Sequence, residues 1–148
     1  MTAQGYAVST EFITAGQRRL SEGMARRLGA ARRSNHFSAQ MLRRLDGNPV
    51  ALARVFFPPD HTEGVLDALL STKSVTEALA VVGVADFERT HTEVSGRLPT
   101  ATEAEALEIS RSAPVIVTTG ISVDAKAPQT VVELNETVWR LDGVRLQF

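Results

Sequence analysis

The sequence predicts one α+β domain, a mainly antiparallel sheet with short helices inserted between strand pairs. Three observations predict it. Six stretches are rich in alternating, β-branched or aromatic residues at strand length. Asp46-Gly47 and Asp142-Gly143 carry the positive φ angles that tight turns need. Ser74 and Thr100 each precede an apolar run and are followed three residues on by Glu77 and Glu103, the signature of a capped helix.

Taken in order, Tyr6 to Thr14 reads as a strand. Ser21 then caps a short helix in which Leu20, Met24 and Leu28 share a face and Gly29 is the stop; a longer helix from Thr14 is the alternative. His36 to Leu45 and Val50 to Phe57 form a hairpin around Asp46-Gly47. Pro58-Pro59 ends it, because neither residue can donate to a ladder. His61 to Leu70 suggests a short helix or turn. Ser74 opens a helix over Val75 to Val82, stopped at Gly83. Asp86 to Leu98 alternates as a strand with exposed charges, and Thr100 opens a helix over Ala101 to Ile109. Pro114 to Val123, a turn at Asp124 to Pro128, and Gln129 to Leu141 complete the sheet. The expected order is β-α-β-β-α-β-α-β-β over a single domain, residues 1–148.

Composition excludes several classes. The chain has 148 residues, 43% hydrophobic and 22% charged, which suits a globular domain with a real core. No apolar run approaches the ~20 residues of a membrane span, and no secretory signal is expected at Met1. Without cysteine there is no disulfide, thiol nucleophile or thiolate metal site. A cytoplasmic location is the default expectation. His36, His61 and His91 have no metal-ligand spacing, and no phosphate loop or nucleophile elbow is present, so no catalytic residue, metal or cofactor is expected. The net charge of −1 conceals an asymmetry. Residues 1–54 hold nine Arg and three acids; the remainder holds seven bases and fourteen acids. A basic ligand surface and a set of solvated faces both fit that distribution.

Two features point to a binding site. Arg43 and Arg44 stand side by side on a strand, so they point to opposite faces. One can meet water while the other points under whatever the sheet covers, where a cation is costly unless an anion meets it. On the last long strand Val131, Glu133, Asn135, Thr137 and Trp139 share one face and Val132, Leu134, Glu136, Val138 and Arg140 the other. A polar row ending in the single Trp either has a wet side or lines a ligand cavity.

The segment MLRRLDG-NPVALARVFFP matches a pattern of Arg-x-Arg strand, Asp-Gly turn and hydrophobic strand closed by proline. It is followed by the Ser74 helix ending at Gly83, Ser95-Gly96-Arg97, a helix ending Leu107-Glu108-Ile109, and Glu133, Thr137, Arg140 and Asp142 in an E-x-x-x-T-x-x-R-x-D run. In that order, from Met24 onward, the chain resembles the UTRA effector-binding domain of GntR-type transcription regulators of the HutC group, which shares the chorismate lyase fold. Arg43-Arg44 and the VSGR segment are most similar to regulators of phosphonate utilisation.

The resemblance implies a ligand site. Arg43 would meet an anionic group, Ser74 would hydrogen-bond the effector from a helix start, Glu133 would accept from hydroxyl or amine groups, and Trp139 would stack. Arg97 is a further candidate. Met41 stands where the first arginine is expected and Ala53 where sugar-phosphate-sensing relatives have glutamate. The resemblance also implies a homodimer that binds a small anionic metabolite, a phosphonate or phosphate ester. DNA would be reached only through an N-terminal winged helix absent from this chain, as is the family's first strand, and no membrane is involved. A chorismate lyase-like enzyme and a dimerisation module without a pocket are the alternatives.

Overall fold

The computed structural model describes residues 7–20, 35–59 and 62–142. Within them six strands run β1 (Val8–Arg19), β2 (Asn35–Leu45), β3 (Asn48–Phe57), β4 (Phe87–Arg97), β5 (Val115–Asp124) and β6 (Ala127–Arg140). Three helices, α1 (Val65–Thr72), α2 (Val75–Val81) and α3 (Ala101–Leu107), lie between β3 and β5. The six strands form one sheet in the order β1-β2-β3-β6-β5-β4, with every neighbouring pair antiparallel. The α+β expectation holds. The helix expected after Ser21 and the final segment from Gly143 lie outside the described residues, as does His61.

Local chemistry sets the element ends. Asp46 (φ +51°) and Gly47 (φ +83°) make the two-residue turn between β2 and β3, with the twist that an antiparallel hairpin requires. Asp46 also clasps the start of β1: Ala7 N–H donates to its carboxylate at 2.9 Å, and Asp46 N–H donates to Ala7 carbonyl at 2.8 Å. Ser74 caps α2 by accepting from Glu77 N–H, and Thr100 with Glu103 forms a full capping box on α3. Strand β1 continues to Arg19, past its expected end at Thr14. Its alternating Phe12, Ala15 and Gln17 stay in register with β2 through an irregularity between Phe12 and Thr14, so the long-helix alternative from Thr14 does not form.

Each face of the sheet is covered differently. Ala39 and Met41 of β2, Ala53, Val55 and Phe57 of β3 and Val132 of β6 pack beneath Val65, Ala68 and Leu69 of α1 and Ala78 and Leu79 of α2. On the opposite face Leu42, Leu52, Val115, Val117 and Val138 pack on Leu107 of α3, and Phe56 and Leu134 on Leu20. Each fully buried Leu or Phe contributes roughly 2 kcal/mol of transfer free energy. Strand β4 is an edge and nearly all of it is exposed.

The division of β6 needs one correction. A register shift opposite Ser122 and Val123 inserts an extra residue at Val132. Val132 therefore joins Glu133 on the α1–α2 side, and Val131 packs with Leu134 on the other. Plain alternation breaks at a bulge, where two successive side chains take one face.

Candidate functional site

The β2–β3 turn and the sheet register bring Arg43 under the sheet. Thr10, Arg43, Ala51, Trp139, Ile116 and Gly96 lie side by side across all six strands, on the face that α1 and α2 share. Directly opposed residues of neighbouring strands share a face. Ala51 stands between Arg43 and Trp139 in this row, has only a methyl group, and is fully buried. Arg44 takes the other face. It pairs with Glu11 at 3.2 Å and donates to Gly47 carbonyl at 3.0 Å.

Arg43 is the unusual member. It is partly buried, and among the described residues it makes no ion pair or hydrogen bond; burial alone holds its pKa below the ordinary arginine value. An unpaired guanidinium withdrawn from water is destabilising until an anion reaches it. Trp139 is held in place, its indole N–H donating to Thr118 Oγ1 at 2.9 Å. Its edge is therefore committed and its face is what a guest can meet.

Glu133 lies on the same face, six strand positions from Trp139, roughly 20 Å along the backbone. It is only 3% exposed. Ser122 O–H donates to its Oε1 at 3.0 Å and Asn135 N–H to its Oε2 at 3.3 Å. Arg89 Nη2 stands 3.7 Å away. Ser74 uses its oxygen lone pair as the α2 cap, accepting from Glu77 N–H at 3.2 Å, which leaves its O–H proton for another partner.

Arg97 does not join the others. Its register partner is Val115, on the α3 face. There its guanidinium forks onto Glu103 at 2.7 and 3.0 Å. Glu103 is buried. Burial pushes its carboxyl up, but the Arg97 hydrogen bond, the Thr100 N–H and the charges of Arg97 and Arg54 outweigh that and hold it below the usual carboxylate range. Arg97 is committed to tying β4 to α3. The structure thus sets Arg43 and Trp139 together at one end of the face and Glu133 at the other, places Ser74 on a helix covering that face, and leaves Arg97 behind the sheet.

Sequence reasoning missed Arg89, Ser122 and Gly120. Gly120 interrupts a run of β-branched residues, and a glycine inside a strand marks close approach by another group. That group is Arg89, whose Cζ would lie 2.8 Å from a Cβ at Gly120. Met41 and Ala53, the two departures from the resembled pattern, are direct cross-strand partners and both lie in the core. Among the described residues no group of His, Asp and Glu is arranged to hold a metal, and no helix is long and apolar enough to cross a membrane.

A six-stranded antiparallel sheet with three short helices among the described residues defines a chorismate lyase-like fold. The chain belongs to the UTRA domain family, whose profile matches residues 3–145. It is similar to the effector domain of PhnF from Mycobacterium smegmatis, with a TM-score of 0.80 and 21% identity over 97% of this chain and 87% of that one. It is also similar to the C-terminal domain of the histidine utilization repressor from Pseudomonas syringae pv. tomato, with a TM-score of 0.79 and 14% identity over 96% and 97% of the two chains. An uncharacterized HTH-type transcriptional regulator of Rhizobium meliloti is 29% identical over 103 residues. The match takes in 70% of this chain and 41% of that regulator, so the chain spans less than half of its curated relative.

Proposed function

We propose that the chain is the effector-sensing domain of a GntR-type transcription regulator, taking a small anionic metabolite at Arg43. The observation that carries this reading is the partly buried guanidinium with no ion pair or hydrogen bond among the described residues, in the same cross-strand row as an indole whose N–H is held by Thr118. Phosphonate and phosphate ester oxygens suit it, because a planar guanidinium engages two of them at once. The phosphonate class is favoured by the likeness of Arg43-Arg44 and Val94 to Arg97 to phosphonate-utilisation regulators, and the similarity to the PhnF effector domain supports it. Ser74 supplies a hydroxyl from the α2 start, and the Glu133 end of the face receives the remainder of the effector.

Such a domain acts in the cytoplasm as a homodimer. Effector binds one arrangement of the dimer better than another, and the differential affinity shifts the population that a winged helix-turn-helix outside this chain presents to DNA. Titration with methylphosphonate, phosphate and sugar phosphates, read by Trp139 fluorescence and calorimetry, tests the reading. Saturable binding with a fluorescence change is expected. Arg43→Ala should remove it, weakening affinity by about a hundredfold, while leaving the circular dichroism spectrum unchanged. Equal binding by the variant, or pyruvate released from added chorismate, would overturn the proposal.

A further inference from the structure

The Glu133 end of the face carries a second arginine, and the two groups divide their roles by exposure. Glu133 is 3% exposed and both carboxylate oxygens accept hydrogen bonds from Ser122 and Asn135. Burial leaves a guest almost no surface of the carboxylate to reach. The Arg89 side chain is 44% exposed. Its Nε–H donates to Ser122 Oγ at 3.1 Å and its Nη2 rests 3.7 Å from Glu133 Oε1. Its Nη1 has no hydrogen-bond partner among the described residues. The guanidinium crosses close over Gly120, where a β-carbon would lie 2.8 Å from its Cζ and push it away. Ser122 accepts from Arg89 and donates to Glu133, so the buried carboxylate orients the guanidinium from below.

We propose that Arg89, rather than Glu133, meets the effector at this end, and that it takes an oxygen acceptor such as a carboxylate or second phosphoryl group. A guanidinium has donors only, so an ammonium group is repelled and an anionic oxygen is bound by charge-assisted hydrogen bonds. This rests on the anion-sensor reading and adds to it. The effector is acidic at both ends, not zwitterionic.

Calorimetry with two probes on the whole chain tests this. Phosphonohexanoate and aminohexylphosphonate share the head group and span, and differ in their far end. The wild-type chain should bind phosphonohexanoate at least about tenfold more tightly. Arg89→Gln should abolish that preference while keeping phosphonate binding that depends on Arg43. Gly120→Ala, which dislodges Arg89 without removing its charge, should reduce the preference too. Equal affinities in the wild type, tighter binding of the amine, or a preference surviving in Arg89→Gln would overturn the assignment of Arg89 alone. Failure of the wild type to bind either probe, or binding indifferent to Arg43→Ala, would overturn the sensor reading and this one together.

Discussion

Arg43 shows how a single residue can be held against stability. Its guanidinium is partly withdrawn from water with no carboxylate to meet it among the described residues. Arg43→Met keeps the stem and removes the charge, so it should raise the melting temperature, by roughly 1 kcal/mol of added stability, while binding is lost. Differential scanning calorimetry of the unliganded chain checks this; a lower melting temperature would mean that Arg43 has a partner in the fold. The side of the sheet that Arg43 takes was legible because neighbours on a strand must part to opposite faces, and Arg44 is accounted for by Glu11 and Gly47. The side that Arg97 takes was not legible, for a related reason. Alternation along one strand does not say which face of another strand it matches, and the partner that settles it, Glu103, sits on a helix after a chain reversal. Met41 and Ala53 were legible as departures from a pattern but not as neighbours. Facing each other in the core, they form an uncharged cross-strand pair.

Among the elements, α3 depends on one carboxylate. Glu103 caps the helix and anchors Arg97 of β4. Its pKa is depressed in the folded chain, so its contribution to stability is complete above the unfolded value near ~4.3 and is lost as pH falls through the folded value. Glu103→Gln should therefore unfold more easily at pH 7, by about 2 kcal/mol, and the difference should close below about pH 4. Urea titrations at the two pH values measure it. The strands themselves were readable from alternation and from the Asp-Gly turn, because a half-buried strand must repeat every second residue. Bulges are where reading failed. The shift between Arg89 and His91 puts Arg89 on the face of Glu133, although Arg97, an even number of residues along the same strand, lies on the other. The extra residue at Val132 does the same on β6. Neither bulge has a residue type that announces it.

For the whole molecule, the sheet sorts its charges by side. The α3 face holds Arg54 with Glu136 and Arg97 with Glu103, paired among themselves. The α1–α2 face holds Arg43 and the Arg89–Glu133 cluster. Arg89 is the one of these cations with an acid beside it. A sheet with one neutralised side and one side short of an anion suits a domain that is completed by a guest. Sedimentation should give the homodimer mass, twice the 16.0 kDa of the chain, and a monomer at micromolar concentration would count against the population-shift scheme. The antiparallel order was implied by the short turns joining successive strands. The insertion of β6 between β3 and β5 was not, since long-range pairing leaves no local trace in the chain.

Ala7 and Asp46 exchange two hydrogen bonds at the corner where the first strand meets the hairpin. Asp46 is three residues beyond Arg43, and Thr10, three beyond Ala7, is the cross-strand neighbour of that arginine. In the sensor proposed above, a guest that draws Arg43 inward would tug on a closed loop of backbone whose far corner is the start of the first strand. News of occupancy would then leave along that short path without rearranging the oily interior.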